Sequence, residues 1–351
     1  MMRMNQTMAE ALGEALRRPL TRGEALALLE WVRTWEDALE LFRVAATVRD
    51  QEVGRTVRLM GFITSITPCT TDPPCRYCWR WASPRAFSDS DVLNEKQLAR
   101  AARAIEDLGI KRVELGGGTL RGEEGGELTL RAAAAVTGAC KMGVWINNGP
   151  SFGIQHVHEL KQVGVEGIAC NLESIRERVY EMARPGDSLA RRKEIVEESD
   201  RAGLLIDNTL MIGLGEAWED KHPYREWVDF LFWLKQFPGL KILEIHPFRP
   251  VPRSPMEELP AGSPFETAKV RAVARLVFRN IGIAGADEPL GVMAGANMVM
   301  HAVAVTKKER SRPGVACGPA RVRDIGDGLV LADSLPALRR YVEDLGLVLE
   351  E

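Results

Sequence analysis

The chain is predicted to be an α/β protein folded as an eight-stranded (β/α)8 barrel of TIM type, with a helical extension before it and a tail behind. Three observations lead there. From residue 57 onward, short apolar runs alternate with longer amphipathic stretches, the pattern of βα units around a parallel sheet. Eight such runs occur, the number that closes this kind of barrel. Glycine-rich and polar segments follow the runs directly, where loops at the strand C-termini carry function.

Residues 1–52 form the extension. Leu26, Leu29, Trp31, Trp35, Leu39, Leu41 and Phe42 recur at roughly helical spacing with no proline after Pro19, and Thr21 with Glu24 makes a capping box. The barrel spans residues 53–306. Its predicted strands are Arg58–Ile63, Arg112–Leu115, Gly143–Ile146, Gly167–Cys170, Leu204–Met211, Ile242–His246, Ile281–Gly285 and Val299–Val305. Helices are predicted between them, among others over Glu95–Leu108, Ser188–Ala202, Tyr224–Gln236 and Phe265–Arg279. Residues 307–351 are a tail of the same domain, basic over Lys307–Arg323 and closing with a helix near Leu335–Leu345. No linker, repeat or low-complexity segment divides the chain.

Net charge is −3 with a pI near 6.1, which gives no general attraction to nucleic acid or anionic membrane. No apolar run approaches the ~18 residues that span a bilayer. A soluble, cytoplasmic protein is the expectation, with neither nucleic acid nor membrane as partner.

The chemistry concentrates in one loop after the first strand, Pro68-Cys69-Thr70-Thr71-Asp72-Pro73-Pro74-Cys75-Arg76-Tyr77-Cys78-Trp79, with the spacing C-x5-C-x2-C. Three thiolates can hold three irons of a [4Fe-4S] cluster and leave the fourth open to a ligand. A structural zinc site is the alternative. Zinc wants four ligands, and the nearest histidines, His156 and His158, lie far downstream. Three unrelated thiols are a second alternative, which the close spacing disfavours. Disulfides do not fit six cysteines in 351 residues with no secretory signal; Cys140, Cys170 and Cys317 read as buried or incidental thiols.

Further candidates sit at strand ends. Gly116, Gly117, Gly118 and Thr119 follow the second strand, and consecutive glycines let a ligand approach the backbone; an ordinary turn is the alternative. Asn171 and Glu173 follow the fourth strand and suit ribose hydroxyls or an ammonium group, though Asn171 also suits a helix cap. Arg191 and Arg192 offer a guanidinium to a carboxylate, or face solvent. His246 after the sixth strand faces substrate or is structural. Tyr77 packs near an adenine or simply within its loop.

Together these residues resemble the radical S-adenosylmethionine (SAM) superfamily. Within it they resemble the biotin synthase-like group, which includes biotin synthase, the maturase HydE, methylornithine synthase and HmdB. The resemblance covers about residues 20–306 and takes in Asn171-Leu172-Glu173, Met211-Ile212-Gly213-Leu214-Gly215-Glu216, Pro252-Arg253-Ser254-Pro255-Met256 and Met293-Ala294-Gly295-Ala296-Asn297. The last two match the region where the group closes its barrel and binds substrate. Most of the superfamily has C-x3-C-x2-C; C-x5-C-x2-C is similar to HmdB, implicated in making the iron-guanylylpyridinol cofactor of [Fe]-hydrogenase. Biotin synthase has a second, sulfur-donating cluster, and the matching positions here, Glu114, Trp145 and Asp207, offer no thiolate.

The resemblance implies that Cys69, Cys75 and Cys78 bind a [4Fe-4S] cluster whose open iron chelates SAM. An electron from a ferredoxin- or flavodoxin-type donor then cleaves the S–C5′ bond, and the deoxyadenosyl radical acts on a small-molecule substrate. It also implies roles by position: Gly116–Thr119 to the methionine amino group, Asn171 and Glu173 to ribose or the amino acid end, Arg192 to the methionine carboxylate, and Tyr77 to adenine. Trp145, Asn147, Asp207, His246 and Arg249 would line the mouth on the substrate side. Other cofactor-biosynthesis proteins are candidate partners. A HydE- or methylornithine synthase-like enzyme is the second reading. A non-catalytic iron–sulfur carrier is the third, and it would need no pocket such as the one built from Asn171, Glu173 and Arg192.

Overall fold

A computed structural model describes residues 6–83, 87–215, 223–307 and 321–350. Three helices come first: α1 (Gln6–Ala15), α2 (Arg22–Trp31) and α3 (Trp35–Glu52). Capping boxes start the last two, Thr21 with Glu24 and Thr34 with Asp37, each satisfying N–H groups that a helix start leaves unpaired. Helix α2 packs on the later helix Tyr224–Leu234 and α3 on the helix Pro264–Phe278, so Leu28, Leu41, Phe42 and Val48 join the main apolar core.

The barrel elements alternate as expected: β1 (Thr56–Ile63), α4 (Glu95–Glu106), β2 (Arg112–Gly116), α5 (Glu123–Thr137), β3 (Gly143–Asn147), α6 (Ile154–Gln162) and β4 (Val165–Ala169). Then follow α7 (Glu177–Ala183), α8 (Leu189–Arg201), β5 (Leu205–Ile212), α9 (Tyr224–Leu234), β6 (Leu240–Pro247), α10 (Pro264–Phe278), β7 (Gly282–Ile283), α11 (Pro289–Met293) and β8 (Met298–Thr306). Neighbouring strands pair in parallel from β7 through β1 to β8.

Strand β7 is shorter than predicted. Gly285 turns at φ +109, and its N–H and that of Ala286 both reach Met298 O at 3.1 Å. The two ends of the sheet therefore meet through a single bridge, Ala284 to Met298, and not through a continuous ladder. The buried Arg275 of α10 braces this seam, donating to Gly295 O at 2.9 Å, Ile281 O at 2.9 Å and Asn297 Oδ1 at 2.7 Å. Gly295–Asn297 thus lie at the start of β8, at the barrel base; that motif closes the barrel away from the mouth.

The tail holds structure that periodicity did not reveal. Strands β9 (Arg321–Gly326) and β10 (Leu329–Asp333) form a hairpin whose β10 pairs antiparallel with β8. After α12 (Leu335–Asp344), the short β11 (Val348–Leu349) pairs with the start of β1. Most of the basic stretch, Cys317 included, lies outside the described residues, as does Glu216. No helix among the described residues is long and apolar enough to cross a membrane.

Candidate functional site

The cysteine loop leaves the C-terminal end of β1 and is pinned to the loop after β2. Thr67 Oγ1 donates to Gly118 O at 2.7 Å, Gly118 N to Thr67 O at 2.9 Å, and Thr70 N to Thr119 O at 2.9 Å. A Cβ on Gly117 would lie 2.4 Å from Thr67 Oγ1, and one on Gly118 2.4 Å from Cys69 Cβ. The glycine run therefore lets the cysteine loop come close, a structural reason beyond ligand approach. On its other side the loop rests on α7, with Arg76 N donating to Ala183 O at 2.8 Å.

Arg80 contacts two of the sulfurs. Its N–H reaches Cys78 Sγ at 3.5 Å and its Nη1 lies 3.6 Å from Cys69 Sγ. Burial pushes the Cys75 thiol up to about 11 and raises Cys78 as well. Three cysteines on one loop with a guanidinium beside them fit a cluster that takes three protein ligands, whereas a structural zinc wants four.

Beside the loop lies a buried ionic quartet. Glu173, held at φ +65 by N–H donation to Thr209 O at 2.7 Å, accepts from Tyr77 Oη and pairs with Arg184. Asp187, its side chain 1% exposed, takes Arg192 through both Nε and Nη2, at 2.8 and 2.7 Å, and lies 3.7 Å from Arg184. Burial alone would raise Asp187, but the charges of Arg192 and Arg184 outweigh it and hold the carboxyl below its usual range. Arg192 Nη1 also donates to Asn171 O at 2.9 Å. The predicted residues Tyr77, Glu173, Asn171 and Arg192 are thereby brought together. Arg184 and Asp187 complete them and were missed; their signal is the turn Arg184-Pro185-Gly186-Asp187, where Pro-Gly sets two charges side by side.

The predicted substrate residues divide. Asn147 Nδ2 donates to Glu114 Oε1 at 2.5 Å and Asn171 Nδ2 to Asn147 Oδ1 at 3.4 Å, so these three form a chain from lumen to mouth. Asp207 is 2% exposed, and His246 Nε2 lies 3.3 Å from Glu244 Oε2 at the rim. Trp145 is elsewhere. It packs with Met60, Ile242 and Met298 in the barrel floor, its Nε1 donating to Glu166 at 3.1 Å toward the strand starts, because the small Gly167 beside it leaves room for the ring there. Arg249 stands in solvent, its side chain 77% exposed and 3.8 Å from Glu288, and does not join the lumen.

A barrel whose mouth carries three cysteines in one loop, a glycine edge and a charged pocket defines an enzyme that works through an iron–sulfur cluster and a bound cosubstrate. The radical SAM superfamily profile matches residues 63–228. An uncharacterized protein of Methanocaldococcus jannaschii is 32% identical over 270 residues, covering 76% of this chain and 69% of that one. Biotin synthase of Carboxydothermus hydrogenoformans is 26% identical over 304 residues, covering 83% and 89%. In structure, methylornithine synthase superposes with a TM-score of 0.74 over 97% of both chains at 18% identity. The hydrogenase maturase HydG gives 0.78 over 98% of this chain and 76% of its own, at 16% identity. The chain belongs to the radical SAM superfamily, a biotin synthase-like enzyme that uses a [4Fe-4S] cluster and S-adenosylmethionine.

Proposed function

We propose that this radical SAM enzyme acts, like HmdB, on a small-molecule precursor in biosynthesis of the iron-guanylylpyridinol cofactor of [Fe]-hydrogenase. One observation carries the reading: the C-x5-C-x2-C loop opens onto a lumen lined at Glu114 and Asp207 by carboxylates, where sulfur insertion would want a thiolate donor. Cys140 and Cys170 do not supply one. Cys140 lies against the C-terminal end of α5, and Cys170 is packed into the outer core beside α8.

Cys69, Cys75 and Cys78 would hold the cluster, which with SAM supplies one-electron cleavage of the sulfonium and a carbon radical able to take a hydrogen atom. In our reading the backbone edge at Gly116–Thr119 receives the methionine amino group, and Arg192, fixed by Asp187, sets the positive field for the carboxylate. Asn171 and Glu173 orient the ribose, and Tyr77, tied to Glu173 and Arg184, walls the adenine side. Val179, Leu214, Phe248 and Met256 pack behind Tyr77 and exclude water from that side. Asn147, Asp207 and His246 face the substrate. A ferredoxin- or flavodoxin-type protein is the proposed electron donor.

The test is anaerobic reconstitution, then dithionite and SAM, with chromatography for 5′-deoxyadenosine and mass spectrometry of products from an extract containing pyridinol precursors. About four irons per chain and deoxyadenosine that rises with the extract, alongside a new pyridinol, support the reading. An amino acid isomer as the product would favour the methylornithine synthase-like alternative, and iron without SAM cleavage would favour a carrier. Cys75→Ala is expected to abolish deoxyadenosine formation; a variant that still forms it would sink the cluster assignment.

A further inference from the structure

Deep in the lumen, below the pocket just described, three strands each contribute one carboxylate: Glu114 from β2, Asp207 from β5 and Glu244 from β6. One oxygen from each lies within 4.8 Å of the others. Glu114 is fully buried and Asp207 is 2% exposed, yet Glu114 Oε2 and Asp207 Oδ1 have no hydrogen-bond partner. Buried polar atoms in native proteins are nearly always paired, so two orphaned oxygens in one cluster call for a missing positive ligand.

The neighbouring donors do not meet that need. Asn147 Nδ2 serves Glu114 Oε1 at 2.5 Å, while Thr209 Oγ1 and His246 Nε2 both approach Glu244 Oε2, at 3.0 and 3.3 Å. Arg271, whose field reaches Glu244, belongs to α10 outside the sheet and is bonded to Ile245 O at 2.9 Å and to Glu288 at 2.7 Å. Below, the apolar floor of Met60, Trp145, Ile242 and Met298 closes the base. Above, His246 is 43% exposed, which leaves a path from the mouth.

We propose that this layer of the lumen is a divalent metal site, with Glu114, Asp207 and Glu244 as ligands and His246 within reach of a fourth position. Carboxylate oxygens with one imidazole suit a hard or borderline ion of the Mn2+, Mg2+ or Fe2+ kind over a soft thiophilic one. Like charges this close cannot all ionise in a buried layer without a counter-ion. The site is distinct from the cysteine loop, and through Asp207 and His246 it adjoins the substrate space of the proposed function.

The experiment is an anaerobic Mn2+ titration of the cluster-loaded chain, reading free Mn2+ by electron paramagnetic resonance. One tight Mn2+ per chain is expected, weakened by at least about tenfold in Glu114→Gln and in Asp207→Asn, with iron content and cluster absorbance unchanged. Binding that is equally strong in both variants, or absent from the native chain, overturns the proposal and leaves the three carboxylates sharing protons. Should the variants fail to fold, crystals of the native chain soaked in Mn2+ decide it. Anomalous density between the three carboxylates supports the site, and none there at saturating Mn2+ refutes it. Neither readout requires SAM cleavage, so failure here is separable from failure of the radical reading.

Discussion

Asp187 shows how single residues shape the pocket. It is the shared counter-charge of Arg184 and Arg192, both nearly fully buried. Removing one partner of a buried ionic group leaves charge uncompensated and costs about 3–5 kcal/mol. Asp187→Asn is therefore expected to destabilise the chain by about that much in urea denaturation and to weaken SAM binding while iron content stays intact. A loss of iron instead would make the quartet a brace for the cysteine loop. At this scale the sequence was informative where residue type alone limits the chemistry: three cysteines in one short loop have few uses. For Arg184 and Asp187 it offered only the Pro-Gly turn between them, because a buried ion pair and a solvated surface charge look identical in a sequence.

Among the elements, the seam between β7 and β8 is the weakest link of the sheet, and α10 compensates for it. Arg275 satisfies carbonyls at Gly295, Arg279 and Ile281 that would otherwise be buried without donors. Arg275→Met keeps the bulk but orphans these acceptors, each worth about 1–3 kcal/mol. A loss of about 3 kcal/mol or more is expected, together with faster amide hydrogen exchange at the start of β8. A stability change under about 1 kcal/mol would show that the seam does not rely on this residue. The predicted helices and strands were largely legible because amphipathic periodicity reports one buried face. Strand β7 was over-extended because its apolar run continues beyond Ile283 to Gly285, where the chain turns.

Over the whole molecule, the last described strand ties the tail to the barrel. Val348 N donates to Arg55 O at 3.0 Å and Glu350 N to Val57 O at 2.9 Å, while Arg112 clasps the Glu350 carboxylate at 2.5 and 3.0 Å. Burial opposes the charge on Glu350, but Arg112 prevails and holds its pKa below the usual carboxylate value. A lowered folded-state pKa stabilises above the unfolded value, ~4.3 for glutamate, and that stability is lost as pH falls through the folded value. Glu350→Gln should thus cost about 0.5–1 kcal/mol at pH 7 and nothing once the pH is well below that range. A thermal-melting difference between the two chains that persists at low pH would assign the effect to packing. The alternation of strands and helices and the three-cysteine loop were determined by sequence alone, since both are local: periodicity and ligand spacing survive without a fold. Tertiary structure alone decided that Glu114, Asp207 and Glu244 share one layer, that Trp145 turns to the floor, and that β11 returns to β1. Those facts depend on which strands are neighbours and how they stagger, and contacts between residues on different strands, far apart in sequence, leave no periodic trace in the chain.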